Sequence, residues 1–310
     1  MSDWMQKVVD GCVTELCSFF VGVTITFLGR LLRINSKTQK IFNKEDLKKF
    51  KLDNLKELTQ TLLKEGELST NDFLKLNNLI DIADIADKHF MKNSSVDRKE
   101  SFQDIDWDWM MRFFDAVGNI SDKELHVLWA KILAGELSKN NSFSLRAIDI
   151  LKNFSVEDAR NYHKICNHSF DSGNNVFIPS DEMFRNYADI TFEDILALDD
   201  LGLVNSSSFA LSYSCNKLST SILEQNDRLV LVVNNNSDSL ETYGIMANRF
   251  TALGKELRST MEFDIHDKDI LALRDCFRKN EDNKNLYFSV HRIQGYTDVG
   301  IQYDTNEVIA

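Results

Sequence analysis

A single proline, Pro179, stands in 310 residues. Proline is the residue that most often ends a helix, because its ring removes an N–H and clashes with the preceding turn. A chain almost without it, and rich in Leu, Ile, Lys, Asp and Glu, is free to build long helices. The pattern predicts helices on both sides of residue 104. From 52 onward, Leu52, Leu55, Leu58 and Leu62 share one helical face, and Gly66 supplies the stop. Ser69 with Asp72 three residues later forms a capping box. The helix it opens carries Phe73, Leu76, Ile80, Ala83 and Ile85/Ala86 inward and runs to about Phe90. The polar stretch Lys92 to Asp104 reads as a linker.

The centre is patterned most strongly. In "DWDWMMRFFDAVGN", Trp107, Met110, Met111, Phe114 and Val117 form one stripe, with Trp109 and Phe113 on another side, so the helix is buried on most of its surface. Gly118 suits its C-terminus, and Ser121 with Glu124 starts the next helix, which continues through Leu137. Ser142 or Ser144 caps a third helix, and Ser155 with Asp158 a fourth that reaches about His168. On the second helix Glu136 falls inside the apolar arc of Leu125, Leu128, Trp129, Ile132 and Leu133. A buried carboxylate must find a partner. Arg146, ten residues on across a short Asn/Ser turn, is the partner expected, which makes the two a structural ion pair rather than a catalytic one.

After Pro179 the texture changes. "FEDILALDDLG" reads as a helix opened by Thr191 and Asp194, "SFALSYS" and "RLVLVVNN" as strands, and "NNNSDS" as a turn before a further strand. Thr251 caps "ALGKELRSTM"; a helix "DKDILALRDCFRK" and a closing strand "NLYFSVHRI" follow. Helix, strand, hairpin, helix is the order of a winged-helix-like module. The expected fold is therefore mainly α: an apolar and basic N-terminal segment 1–42, a helical region 43–91, a linker 92–104, a central helical domain 105–178, and a winged-helix-like α+β module 179–310.

Charge and cysteine use narrow the function. The net charge of −12 argues against a surface coated for duplex nucleic acid. Residues 249–292 carry nine Lys/Arg against eight Asp/Glu, so tight nucleic-acid binding by the C-terminal module is not expected. Five scattered cysteines make no disulfide framework and point to a reducing cytoplasm. With Asp3, Lys7 and Asp10, the first ten residues carry no cleavable-signal pattern. The fourteen uncharged residues "LCSFFVGVTITFLG" are followed, from Arg30 to Lys56, by nine Lys/Arg against three Asp/Glu. That run is shorter than the ~18 residues that mark a span. It reads as buried structure, with Cys12 and Cys17 as small buried hydrophobes. The alternative is a membrane contact through Phe19, Phe20 and Phe27, with Arg30 and Arg33 at the surface.

Chemistry-bearing motifs are few. His163, Cys166 and His168 could suggest zinc, but a structural site needs four ligands and the three do not share a helical face. Asp104, Asp106 and Asp108 could suggest a metal nuclease, yet alternate acids at a helix start also suit capping and the helix dipole. No Walker loop, G-x-S-x-G or G-x-G-x-x-G accompanies them. No catalytic residue, metal or cofactor is expected.

One stretch carries a resemblance. Residues 104–162 pair Asp106–Trp107 (or Asp108–Trp109) and Phe113–Phe114 with Ser121–Asp122, Glu124, Leu128–Trp129, Ile132 to Glu136, Ser142 to Ser144 and Arg146. This run closely resembles the centre of a bacterial family known as domain of unknown function 2806, with weaker similarity over about two thirds of the chain. "LNNLIDIADIAD" upstream and "FTALGKELR" downstream are also similar to it. The sequence departs at the turn, where the family often has proline and this chain has Asn140–Asn141. The resemblance marks Trp107, Trp109, Phe113, Phe114, Trp129 and Gly135 as an interaction or core motif, and implies no activity. The expected role is a non-enzymatic interaction or regulatory subunit in the cytoplasm, in an antiviral-defence or mobile-element setting. Its partner would be a protein encoded by an adjacent gene, with self-association open. A membrane-acting effector and a cryptic metal-dependent nuclease are the alternatives.

Overall fold

The computed structural model describes residues 52–93, 106–172, 175–217, 221–225, 229–261, 267–297, 300–305 and 309. The apolar and basic N-terminal segment, with Cys12, Cys17, Phe19, Phe20, Phe27, Arg30 and Arg33, lies outside them, as does most of the expected linker with Asp104. The chain divides into two compact units, Met1–Val156 and Glu157–Ala310. The division falls inside the span 105–178 that periodicity groups together.

The first unit is helical in its described residues. α1 (Leu52–Lys64) buries Leu55 and Leu62 and stops where Gly66 turns left-handed at φ 74°. α2 (Thr70–Asn93) starts on the expected cap, with the Asp72 amide donating to the Ser69 hydroxyl at 3.1 Å. It buries Leu76, Leu79, Ile80, Ile82, Ala83 and Ala86, and extends past the predicted end at Phe90. α3 (Trp107–Val117) is capped by Asp106, whose carboxylate accepts from the amides of Asp108 and Trp109. α4 (Lys123–Ser138) is capped by Asp122, one residue after the expected Ser121. It is buried on nearly every side. α5 (Leu145–Leu151) uses Ser144 as its cap. The aromatic cluster is real packing: Trp109 stacks on Phe113 at 5.2 Å, and Phe113 meets Trp129 edge-on at 5.4 Å. Phe114 is buried beside them, while the side chain of Trp107 lies outside the described set.

The second unit joins helices to one long antiparallel array. α6 (Val156–Asn167) leads into β1 (Phe170–Ser172), β2 (Asn175–Pro179), α7 (Glu182–Ala188) and α8 (Phe192–Asp200). Then come β3 (Phe209–Cys215), β4 (Ser221–Gln225), β5 (Leu229–Asn235), β6 (Glu241–Arg249), α9 (Ala252–Arg258), α10 (Asp267–Lys279), β7 (Leu286–Thr297) and β8 (Gly300–Tyr303). The strand order is β3-β6-β2-β1-β4-β5-β7-β8. The first half of β7 pairs with β5; after an irregularity at Ile293/Gly295 the second half pairs with β8.

Two corrections follow. The fold is mixed α+β rather than mainly α, because β1, β2, β4 and β8 add to the four strands that sequence pattern predicts. The winged-helix-like reading needs β5 and β6 as a hairpin, whereas they are not neighbours: β5 pairs with β4 and β7, and β6 with β3 and β2. The physical reason lies in β5. Leu229 to Val233 are all buried, so this strand needs cover on both faces, and β4 and β7 hold its two edges in place of β6. α10 supplies part of that cover with Ile270, Leu273 and Phe277. Pro179 ends β2 opposite Ala247, where the ladder stops needing its N–H. Gly254 sits where an added Cβ would lie 2.0 Å from the Leu203 carbonyl, so α9 can pack there only with glycine.

Candidate functional site

Glu136 is 3% exposed. One carboxylate oxygen accepts from the Asn141 amide at 2.7 Å and the other from the Phe143 amide at 2.9 Å. Arg146 is exposed on α5, and among the described residues no ion pair joins it to Glu136. The expected pair is therefore corrected. The turn's own amides lie closer to the carboxylate than a side chain of the next helix, and they occupy both of its oxygens. Burial raises the Glu136 pKa, an effect the amide bonds only partly offset. The turn explains two more motif residues. Asn141 is left-handed at φ 60°, a conformation closed to proline. A Cβ at Gly135 would fall 2.8 Å from the Phe143 ring. Glu136, Gly135 and Phe143 thus make a clamp that holds the α4–α5 turn.

The residues His163, Cys166 and His168 do not converge. Cys166 is fully buried and its thiol is pushed up to about 12 by burial, which keeps it protonated and a poor ligand. Among the described residues no group of three or more His, Cys, Asp or Glu could hold a metal ion. His168 instead faces Asp269 on α10, Nδ1 to Oδ1 at 3.0 Å. Asp269 is fully buried and also takes the Tyr187 hydroxyl from α7. Burial first, then the Asp269 charge, raises the Tyr187 pKa. Beside this pair the Arg258 Nε donates to the Ser169 hydroxyl at 2.9 Å, and its Nη2 meets Asp171 at 3.0 Å. A buried carboxylate on Nδ1 fixes the imidazole ring and its tautomer. In sequence His168 stands beside Cys166; Asp269, Tyr187 and Arg258 are distant, and no local pattern links them.

α8 presents a different surface. Phe192 is 48% exposed and Leu196 40% exposed, four residues apart on one helical face. Beneath them Ile195 and Leu198 are fully buried. The helix is braced at its start: Thr191 and Asp194 form a complete capping box, Lys164 reaches the Asp194 carboxylate at 2.7 Å, and the Asn161 amide donates to its carbonyl at 2.9 Å. Burial alone would raise the Asp194 pKa, but the bonds to Lys164 and Thr191 outweigh it and the net shift is downward. Glu193 and Asp200 flank the apolar pair in solvent. Among the described residues no helix is long and apolar enough to cross a membrane.

Residues 74–269 match the model of DUF2806, a family described as protein of unknown function. No curated protein and no solved structure matches the chain.

Proposed function

The chain belongs to the DUF2806 family, and from that premise we propose that it is a non-enzymatic interaction or regulatory subunit of the cytoplasm. The observation that carries the reading is the α8 face. Phe192 and Leu196 are large apolar side chains held in water on a helix whose start is tied down three ways. Single exposed hydrophobics are ordinary, but an exposed pair on a rigid element is a protein-contact surface in miniature. Glu193 and Asp200 at its edge fit an apolar groove with a basic rim, and the net charge of −12 favours encounter with such a partner.

The test is co-purification from the source organism with adjacent genes intact, comparing the natural chain with Phe192→Asp/Leu196→Asp. A protein that accompanies the natural chain in fixed stoichiometry, and is lost from a variant of unchanged melting temperature, supports the reading. Light scattering on the purified proteins identifies a second copy as the partner if a dimer becomes a monomer. Identical co-purifying proteins and identical mass for both forms would overturn it.

A further inference from the structure

A cleft of about 330 Å³ opens in the second unit where the start of β2, the segment after α8 and the β6–α9 junction come together. Asn175, Asn205, Arg249, Thr251 and Lys255 line it, with Phe250 beneath. Among these described residues there are two cations and no carboxylate, in a chain whose net charge is −12. We propose that this cleft binds a phosphomonoester of mononucleotide size or smaller.

The wall is built, not incidental. Asn248, 2% exposed, donates from its side-chain amide to the carbonyls of Asn205 at 3.1 Å and Ser206 at 2.8 Å. The Asn205 amide in turn donates to the Arg249 carbonyl at 2.8 Å. These bonds lock the loop carrying Asn205 to the strand carrying Arg249. The Asn205 side-chain oxygen accepts from the Ser207 amide, which leaves its NH₂ as the end that can serve a ligand. The Thr251 hydroxyl is committed to the Gly202 carbonyl and the Gly254 amide, so it shapes the cleft rather than binding.

Arg249 is the anchor. Its side chain is exposed, and its guanidinium carbon lies 5.6 Å from the centre of the Phe209 ring, a cation–π contact that favours this placement. Among the described residues its N–H donors meet no protein acceptor. A planar fork lining the same cleft as an amide NH₂ suits the paired oxygens of a phosphate. Lys255, also in the lining, is the second positive charge. The volume is at the lower end of what small-molecule sites use, which excludes a large ligand.

Isothermal titration of the full chain with inorganic phosphate, AMP and a short single-stranded oligonucleotide tests the proposal. Saturable one-site binding of AMP is expected. Arg249→Gln should weaken it by about tenfold or more, as loss of a charged hydrogen-bond partner does. Lys217→Gln, remote in sequence and paired with Asp238, should leave it unchanged. If Arg249→Gln melts early, Arg249→Lys carries the test, because it keeps the charge and loses the fork; it too should bind AMP more weakly. The proposal is overturned by the absence of saturable binding of phosphate and AMP at about 10 mM. It is equally overturned by unchanged AMP binding in the Arg249 variant that folds, or by affinity that grows with oligonucleotide length.

Discussion

Glu136 and Asp269 are both buried carboxylates, and they are satisfied in opposite ways. Glu136 takes backbone amides five and seven residues downstream in its own turn. Asp269 takes side chains from elsewhere: His168, 101 residues away in sequence, and Tyr187 on another helix. The first arrangement belongs to a local loop and forms with it. The second exists only once α6, α7 and α10 have packed. Degree of burial therefore does not rank the two in importance. What ranks them is whether the groups left behind can reach water.

The largest expected effect follows from that. Glu136→Ala strands two amides, and the Phe143 one is buried, so the loss is about 2–3 kcal/mol by denaturant titration. Asp269→Ala removes a more deeply buried acid, yet the Tyr187 residue is 41% exposed and the His168 side chain 16%. Water can replace the lost partner at both, and about 1 kcal/mol is expected. A larger loss for Asp269 than for Glu136 would break the comparison.

Acid pH sharpens it. Burial raises the Glu136 pKa in the folded state above its ordinary 4.5, so the folded chain holds that proton more tightly than the unfolded one. Stability then falls as pH rises from 4.5 through the raised value and is level above it. Glu136→Gln removes this dependence; the difference between the two proteins should shrink as pH rises across that window. Asp194 has the opposite sign, since its pKa is lowered: its contribution is present above the ordinary 3.8 and disappears as pH falls through its folded value. Melting curves of Glu136→Gln and Asp194→Asn from pH 3 to 7 separate the two slopes. Parallel slopes would show that burial is not what shifts Glu136.

The same contrast between local and distant explains what could be read from the chain. Ser69, Ser144, Thr191 and Thr251 are legible as caps because cap and partner are three residues apart, and each one caps its helix. β5 is legible as a strand because five apolar residues run together. Its neighbours are not. β1 has three residues, β2 ends on proline, and β4 is five residues long, too short for alternation to stand out. The β5–β6 turn invites a hairpin, yet β4 and β7 occupy both edges of β5. At the candidate sites the burial of Glu136 is visible in the helical arc, but its partners are main-chain groups that no residue type signals. The His168–Asp269 contact has no sequence signature at all. The α8 face is half legible: Thr191 and Asp194 are readable as its start, while the exposure of Phe192 and Leu196 depends on what does not cover them.

The smallest effect tests the correction itself. A helical wheel and a short turn make Arg146 the natural partner for Glu136, and a buried ion pair broken at either end costs about 3–5 kcal/mol. The observed clamp gives Arg146 no such part. Its side chain is exposed on α5, and both oxygens of Glu136 already hold amides. Arg146→Ala should therefore change stability by no more than about 0.5 kcal/mol, the usual range for a surface substitution. In a double-mutant cycle the Glu136 and Arg146 losses should add, with coupling within about 0.5 kcal/mol of zero. Gly135→Ala supplies the contrast. Its new Cβ would press on the Phe143 ring at 2.8 Å and shift the residue whose amide Glu136 holds. That variant should couple to Glu136→Ala, because both loosen one clamp. Coupling at Arg146 and none at Gly135 would restore the ion pair and remove the clamp.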